Sequence, residues 1–264
     1  MTEINRKIQS VDAKKTIIGN DRVHPNAPGH FVMAYQFLKS LQSPTYVSAI
    51  EIKNNKLKKV NNAEVTDFSS NNKSISFKLK EKALPFPMPL EASKALEFVP
   101  FIEEFNMQLL KVSPLADGDY VLNIDGILAG NFSSVQLEKG INLAMLKTTP
   151  QYKQALLVAQ KANSYKNVQR KLRDIKFVEY SYFPKRLWNA DLPTLKLFID
   201  STLNSLKTTN ERKFKSLKPQ FETYINDKPQ QANFEKKADS LPDQIYAENK
   251  PGTYHYQIIK VARP

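Results

Sequence analysis

The sequence has no cysteine, only three histidines and no long apolar run among its 264 residues. The lack of cysteine excludes disulfide bonds and thiol chemistry but fits either a reducing or an oxidising compartment. No apolar run reaches the roughly 20 residues that a membrane-spanning helix needs, so we expect no such helix. Residues 1–7 lack the apolar segment of a signal peptide, and we expect none within this sequence.

The positive charge is concentrated in the last third of the chain. The formal net charge is +13, of which residues 151–264 carry +10 and residues 45–150 carry none. The lysines and arginines are spread along predicted helices, which favours a solvated basic face. Attraction to an acidic polysaccharide or to an anionic membrane surface is the alternative. Nucleic acid is not the expected partner, and such binding would weaken steeply as salt is raised.

One short string carries most of the chemical information, namely Asp21-Arg22-Val23-His24-Pro25-Asn26-Ala27-Pro28-Gly29-His30. A carboxylate three residues before a histidine on one loop can reach the imidazole Nδ1 and leave Nε2 facing outward. Pro25 biases His24 away from helical backbone, so the pair is predicted to lie in a turn. An ordinary Asp–His hydrogen bond in a loop is the non-functional interpretation. His30 is expected to pack or to form a hydrogen bond at the start of the following helix, and the six-residue spacing of His24 and His30 fits no metal motif.

Together with Met33 and Ala34, this string resembles the last conserved block of the SGNH (GDSL-type) hydrolases. The resemblance implies acyl-ester hydrolysis through a serine acyl-enzyme, with deacetylation of a carbohydrate as one form of it. His24 would be the general base and then the general acid, and Asp21 would orient it. No metal and no organic cofactor is implied. Residues 1–44 would be an α/β remnant, the last strand–loop–helix unit of a three-layer domain, with a strand at Lys15–Gly19 and a helix at Gly29–Leu41.

The other parts of that catalytic set are absent from the sequence. No Gly-Asp-Ser occurs, and Gly19-Asn20-Asp21 overlaps the Asp–His block, so it cannot also supply the oxyanion-binding asparagine. We therefore expect these residues alone to be inactive, with the serine on a missing N-terminal SGNH portion in cis or on a companion chain. Phe31 and Leu38 would then form an exposed apolar patch. For the intact bacterial enzyme, an extracellular or periplasmic location is the hypothesis.

Residues 45–149 are predicted to form a β-rich accessory module, similar to modules that follow the Asp–His block in some bacterial SGNH hydrolases. Alternating residues predict antiparallel strands with one wet face, and Asp125-Gly126 marks a hairpin turn. The proline-rich stretch Leu84–Leu90 reads as an ordered, extended connector. The predicted strands are Tyr46–Ile52, Lys56–Val60, Ser74–Leu79, Phe105–Val112 and Asp119–Ile124.

Residues 150–264 are predicted to be a helical region with a closing strand at Tyr254–Val261. A helix is expected at Leu192–Leu206, capped by Asp191, and another at Lys218–Ile225, whereas Pro229–Pro251 shows little pattern. His255 is expected to be a strand residue without a catalytic role. An aromatic group near Pro184 predicts helix packing rather than a carbohydrate-stacking platform; its members are Tyr180, Tyr182, Phe183 and Trp188.

A second function class remains open on these residues. The chain could be a non-catalytic glycan-binding or structural module in which the Asp21–His24 loop is a relic. A relic predicts glycan binding without activity in any form of the protein. A catalytic fragment predicts esterase activity when the serine-bearing part is present, and loss of that activity when His24 is replaced.

Overall fold

The computed structural model describes residues 2–71 and 73–261, a part of the chain that contains eight α-helices and two β-sheets. This mixed content is consistent with an α+β fold. The helices are α1 (Thr2–Val11), α2 (Ala27–Ser40), α3 (Phe101–Phe105), α4 (Ser134–Lys139), α5 (Pro150–Tyr182), α6 (Leu192–Thr209), α7 (Glu211–Asp227) and α8 (Gln231–Glu248). The strands are β1 (Tyr46–Lys53), β2 (Lys56–Asn61), β3 (Ala63–Ser70), β4 (Ser74–Glu81), β5 (Met107–Ser113), β6 (Asp119–Ile124), β7 (Ile127–Ser133), β8 (Ile141–Asn142) and β9 (Thr253–Lys260).

The chain divides into two compact units. The first runs to Leu157 and includes the chain from Glu248 onward, and the second spans Val158–Ala247. Helix α5 contributes its first turns to one unit and the remainder to the other. The division at residues 44 and 149 expected from the sequence stays a prediction. No helix in the described part of the chain is both long enough and apolar enough to cross a membrane.

The two sheets of the first unit share one hydrophobic core. Their strand orders are β2-β1-β5-β8 and β3-β4-β9-β6-β7. Alternation of apolar residues along the strands places one face of each strand inward. The core contains fully buried members from both sheets, namely Ile50, Ile52, Leu110, Phe77, Leu79, Leu122, Ile124, Tyr256 and Ile258.

Local sequence patterns predicted the positions of most strands correctly but did not predict all of the pairings between strands. The hairpin of β6 and β7 turns at Asp125-Gly126 as predicted, with Ile124 opposite Ile127. The expectation of purely antiparallel pairing was wrong because β1 and β5 are parallel neighbours. Residues Val47–Ile50 of β1 are buried one after another, so this strand has no wet face. The predicted strand at Lys15–Gly19 was also wrong, since this segment forms only an isolated bridge from Ile18 to Pro25.

The last strand of the chain lies inside the larger sheet. β9 pairs antiparallel with β4 on one side and with β6 on the other. In the register with β4, Phe77 lies opposite Tyr256, and their rings stack 5.1 Å apart with both side chains fully buried. The sheet is therefore completed by residues about 170 positions downstream of β4, which is a non-local contact that periodicity alone does not reveal.

Helix α2 packs on the proline-rich connector rather than presenting its buried face to solvent. Phe31 meets the ring of Phe101 edge-on at 4.8 Å and lies 5.9 Å from Phe86 of the extended connector. Tyr35 donates a hydrogen bond from its hydroxyl to Glu104 at 2.6 Å. The expected exposure of Phe31 and Leu38 was therefore wrong: Phe31 is buried and Leu38 is partly buried in this cluster.

The second unit is built around the aromatic group near Pro184. Phe183 is buried and packs edge-on against Phe198 and Tyr224, as the helix-packing interpretation predicted, whereas Tyr180 of the same group is exposed. The α6 cap is also confirmed, because Asp191 accepts a hydrogen bond from the Thr194 N–H at 3.0 Å. α7 begins seven residues earlier than predicted. No particular helix was predicted within the weakly patterned stretch Pro229–Pro251, where Gln231–Glu248 forms α8 despite Pro242 within it.

A polar network lies buried in the first unit around Glu81, which is only 2% exposed. Glu81 Oε1 accepts hydrogen bonds from the Ser48 hydroxyl at 2.5 Å and from the Gln108 amide at 2.8 Å. Within the described residues, Glu81 Oε2 and the amide oxygens of Gln108 and Gln151 have no donor. Burial raises the pKa of the Glu81 carboxyl, although its hydrogen bonds with Ser48 and Gln108 oppose the rise. A protonated Glu81 supplies a donor among these acceptors.

We predict that Glu81→Gln stabilises the protein at pH 8, by about 1–3 kcal/mol, because an amide supplies donors without a buried charge. Since the pKa of Glu81 is raised by folding, wild-type stability is greatest below the ordinary value near 4.5 and falls as pH rises through the raised pKa. Urea denaturation at pH 4.5 and pH 8 measures the difference, which shrinks at the lower pH. Exposed Glu64→Gln is the control. Equal effects of both substitutions at both pH values contradict this assignment.

Candidate active-site loop

The Asp21–His24 loop is a tight turn held by its own backbone. The Gly19 N–H donates to the His24 carbonyl at 2.6 Å, and the Asn26 N–H donates to the Ile17 carbonyl at 3.1 Å. The turn closes through Arg22, whose φ of 58° lies in the left-handed region and whose N–H donates to the Gly19 carbonyl. These bonds fix the short segment that carries both candidate residues.

The structure places the two candidate catalytic residues in direct contact. Asp21 Oδ2 lies 2.7 Å from His24 Nδ1. The other oxygen, Oδ1, accepts hydrogen bonds from the N–H groups of Val23 and His24, both at 3.0 Å. The hydrogen bond to the His24 side chain, reinforced by these backbone donors, lowers the pKa of the Asp21 carboxyl. Asp21 is thus held as a carboxylate in one orientation against the imidazole.

This geometry leaves the outer nitrogen of His24 available. A neutral imidazole that donates from Nδ1 to Asp21 carries its lone pair on Nε2, which can then accept a proton. The His24 side chain is 81% exposed and the Asp21 side chain 54% exposed. Within residues 2–71 and 73–261, no serine hydroxyl contacts His24. The pair can therefore act as an oriented base, but this part of the chain brings no nucleophile to it.

Asn26 and Gly29 position the loop against helix α2. Asn26 caps the helix by accepting a hydrogen bond from the Gly29 N–H at 2.9 Å, and its amide donates to the Thr16 carbonyl. Gly29 faces the loop so closely that a Cβ there would lie 2.0 Å from the Ile17 carbonyl oxygen. Only glycine fits this approach, which gives a steric reason for Gly29 in the motif.

We predict that Gly29→Ala separates the loop from α2 and destabilises the first unit by roughly 3 kcal/mol, near the top of the usual range for overpacking. The clash is with backbone and cannot be relieved by rotating a side chain. Urea denaturation gives the free-energy change. Ala27→Ser, at an exposed position in the same helical turn, serves as control and changes stability by less than about 0.5 kcal/mol. A Gly29→Ala variant as stable as wild type would show that the loop does not rest on α2 as described.

His30 lies outside the Asp–His pair. It is exposed in the first turn of α2, so of the two expectations for His30 the packing one was wrong. A hydrogen bond at the start of the helix is present, because His30 donates its backbone N–H to the Asn26 carbonyl at 2.9 Å. His30 belongs to an exposed stripe along α2, here called the α2 stripe. The stripe consists of His30, Met33, Ala34, Phe37 and Leu41. Met33, Phe37 and Leu41 are 48%, 65% and 61% exposed, on the side of the helix opposite the buried Phe31 and Tyr35.

The structure shows one Ser–His contact that the sequence did not indicate. The Ser76 hydroxyl lies 2.7 Å from His255 Nε2, joining the neighbouring strands β4 and β9. As predicted, His255 is a strand residue. The backbone N–H groups around both residues form the hydrogen bonds between neighbouring strands. No pair of N–H donors there remains to bind an oxyanion. We interpret this contact as a cross-strand hydrogen bond, which only packing between distant strands could reveal.

In the described residues there is no group of three or more His, Asp or Glu side chains arranged to hold a metal ion. An open cavity of about 590 Å³ borders the same segment and is lined in part by Ile17, Gly19 and Asn26. The opposite wall comes from the region before α3, including Lys94 and Phe98.

The chain is similar to the solved structure of BT4096, a gut microbial diltiazem-metabolizing enzyme, with a TM-score of 0.82 and 29% sequence identity. The similarity covers 99% of this chain and 60% of that chain, so this chain spans about three fifths of the length of the enzyme it matches. No protein family profile matches the chain, and no curated protein does.

Proposed function

We propose that this chain is the C-terminal portion of an SGNH-type serine ester hydrolase and carries its general base. The observation that supports the proposal most directly is the 2.7 Å contact between Asp21 Oδ2 and His24 Nδ1, with an exposed imidazole. Similarity over nearly the whole chain to an enzyme that metabolizes diltiazem, an ester drug, supports a hydrolase. The substrate class is an acyl ester, including an acetylated carbohydrate.

In the proposed reaction, His24 accepts a proton and then donates it, once during acylation of the serine and once during hydrolysis of the acyl-enzyme. Its Nε2 takes the proton of a serine hydroxyl as the serine oxygen bonds to the ester carbonyl carbon. The imidazolium, stabilised by Asp21, gives that proton to the departing alcohol as the acyl-enzyme forms. Water then attacks the acyl-enzyme and loses its proton to His24, which returns it to the serine as the acid leaves. Asp21 stays ionised throughout, consistent with its lowered pKa.

The serine and the oxyanion donors are proposed to lie on polypeptide outside these 264 residues. The sequence has no Gly-Asp-Ser, and the chain spans only 60% of the similar enzyme. We propose that this further portion, in cis or on a companion chain, packs on the α2 stripe. Three large apolar side chains about half or more exposed along one helix face are a surface that a partner would cover.

A comparison of the 264-residue chain with its His24→Ala variant tests whether the nucleophile lies outside this chain. The 264-residue chain alone is expected to hydrolyse p-nitrophenyl acetate no faster than its own His24→Ala variant, because an oriented base without nucleophile and oxyanion donors contributes little. A rate clearly above that variant would show that the chain holds a complete site, and replacing Ser76 by alanine would then show whether Ser76 is its nucleophile. Equal rates in the isolated chain, together with His24-dependent activity in the natively produced protein, support the proposal over a relic loop.

A further inference from the structure

The second unit contains a cleft that is separate from the Asp21–His24 loop in sequence and chemistry. It lies between α5 and α7 and has a volume of about 380 Å³, near the lower end of small-ligand sites. Its floor is apolar and comes from Ile175, Val178 and Tyr224, all of them buried. The residues around it that can contact a ligand are Lys171, Asp174, Phe177, Gln220, Thr223 and Asp227.

Phe177 forms an aromatic wall of this cleft while remaining 52% exposed. Tyr182 meets its ring edge-on, at 5.8 Å and 89°, and Tyr182 in turn packs edge-on against the fully buried Phe221 at 5.7 Å. The Phe177 ring is thus supported from the core while about half of it stays open to solvent. Such a ring can stack on the apolar face of a flat ligand.

The polar groups of the cleft include both donors and acceptors. Thr223 donates its hydroxyl to the Pro219 carbonyl, which leaves the hydroxyl oxygen able to accept. The Gln220 amide donates to the Ser216 carbonyl, and one N–H remains on that nitrogen. Among the described residues, Asp174 is paired only at long range, with its carboxylate 3.8 Å from the Arg173 guanidinium. At one end, Lys171 and Asp227 form an ion pair at 2.7 Å, with the ammonium 4.8 Å from the centre of the Phe234 ring.

The charge of the cleft differs from that of the unit around it. Residues 158–247 contain seventeen Lys and Arg against ten Asp and Glu, whereas the cleft has two carboxylates and one ammonium. An anionic ligand would therefore meet repulsion from Asp174 and Asp227. A fully apolar ligand would remove water from the Lys171–Asp227 pair without replacing its hydrogen bonds. The ligand that fits has an apolar face, neighbouring hydroxyls that both donate and accept, and no negative charge.

We propose that this cleft binds a neutral sugar ring of a glycan, with the ring face stacked on Phe177. The sugar hydroxyls donate to Asp174 and accept from the free N–H of Gln220. The inference goes beyond the hydrolase proposal and does not depend on it, since the cleft involves neither Asp21 nor His24. It also differs from a platform on the aromatic group near Pro184, because Phe183 is buried and Tyr180 does not line the cleft.

Calorimetric titration of the protein with four neutral trisaccharides tests the proposal: cellotriose, xylotriose, maltotriose and triacetylchitotriose. At least one is expected to bind with a Kd of about 0.1–1 mM, a modest affinity for a small, open cleft. Phe177→Ala should raise that Kd at least about tenfold. Tyr180→Ala, which removes an exposed aromatic ring one turn further along α5, should leave it within about twofold.

Three results would overturn the assignment. One is the absence of binding to all four trisaccharides at a Kd below about 10 mM, too weak for a built site. Another is loss of binding in Tyr180→Ala but not in Phe177→Ala, which would place the sugar on the aromatic group near Pro184. The third is salt-sensitive binding of polyuridylic acid or heparin with no neutral sugar bound, which would make the unit a polyanion binder. Thermal unfolding by circular dichroism verifies that both variants are folded.

Discussion

Replacing His24 with alanine in the natively produced protein is expected to lower kcat/KM for ester hydrolysis by at least about 10³-fold. The imidazole is the only group that the described loop offers as a base, and its Nδ1 lies 2.7 Å from the carboxylate that orients it. Without it, the serine hydroxyl keeps its proton at neutral pH and the leaving alcohol receives none. The measurement is a steady-state assay on p-nitrophenyl acetate.

Two companion variants separate catalysis from folding in that assay. Asp21→Asn retains the imidazole but loses the carboxylate, and it should cost about 10²–10⁴-fold, mainly in kcat. His30→Ala removes an exposed histidine six residues away and should retain activity within about twofold. If His24→Ala and His30→Ala have equal activities, His24 is not the base, and the Asp21–His24 contact is an ordinary loop hydrogen bond.

Replacing Phe77 with alanine is expected to cost about 3–5 kcal/mol of the free energy of unfolding of the first unit. Phe77 is fully buried in β4 and stacks at 5.1 Å on the equally buried Tyr256 of β9. Truncation removes buried apolar surface and leaves a cavity in the centre of the larger sheet. The surrounding residues cannot move far enough to fill this cavity. Hydrogen exchange of β4 and β9 amides reports this loss for the first unit alone.

Phe37→Ala is the matched control for that substitution. The two residues have the same side chain, but Phe37 belongs to the α2 stripe and is 65% exposed. Its truncation should change the stability of the 264-residue chain by less than about 0.5 kcal/mol. A loss comparable with that of Phe77→Ala would mean that the α2 stripe is already covered within this chain, which would remove the proposed contact surface for the missing portion.

Features set by neighbouring residues were predictable from the sequence. The cap of α6 by Asp191 and the hairpin turn at Asp125-Gly126 depend on three or four consecutive residues, and both are present. The contact between Asp21 and His24 is equally local, since three positions along one turn bring the carboxylate to Nδ1. Its catalytic role stays a prediction, because no serine hydroxyl contacts His24 within the described residues.

Features set by distant residues were not predictable. The parallel pairing of β1 with β5 and the central place of β9 depend on contacts across tens to hundreds of residues. α8 was missed because its sequence is polar and contains Pro242, so packing rather than pattern decides its conformation. Burial of Phe31 required Phe86 and Phe101 to meet it from a later segment. The cleft between α5 and α7 likewise joins side chains some 50 residues apart.

In the proposed reaction, His24 takes its proton from a serine located outside these 264 residues. Labelling of the natively produced protein with a fluorophosphonate, followed by peptide mass spectrometry, tests this location of the serine. We predict one labelled serine, on a peptide absent from this sequence, and loss of the label in His24→Ala. A labelled serine within these residues, Ser76 included, or a protein that takes up no label at all, would contradict the account.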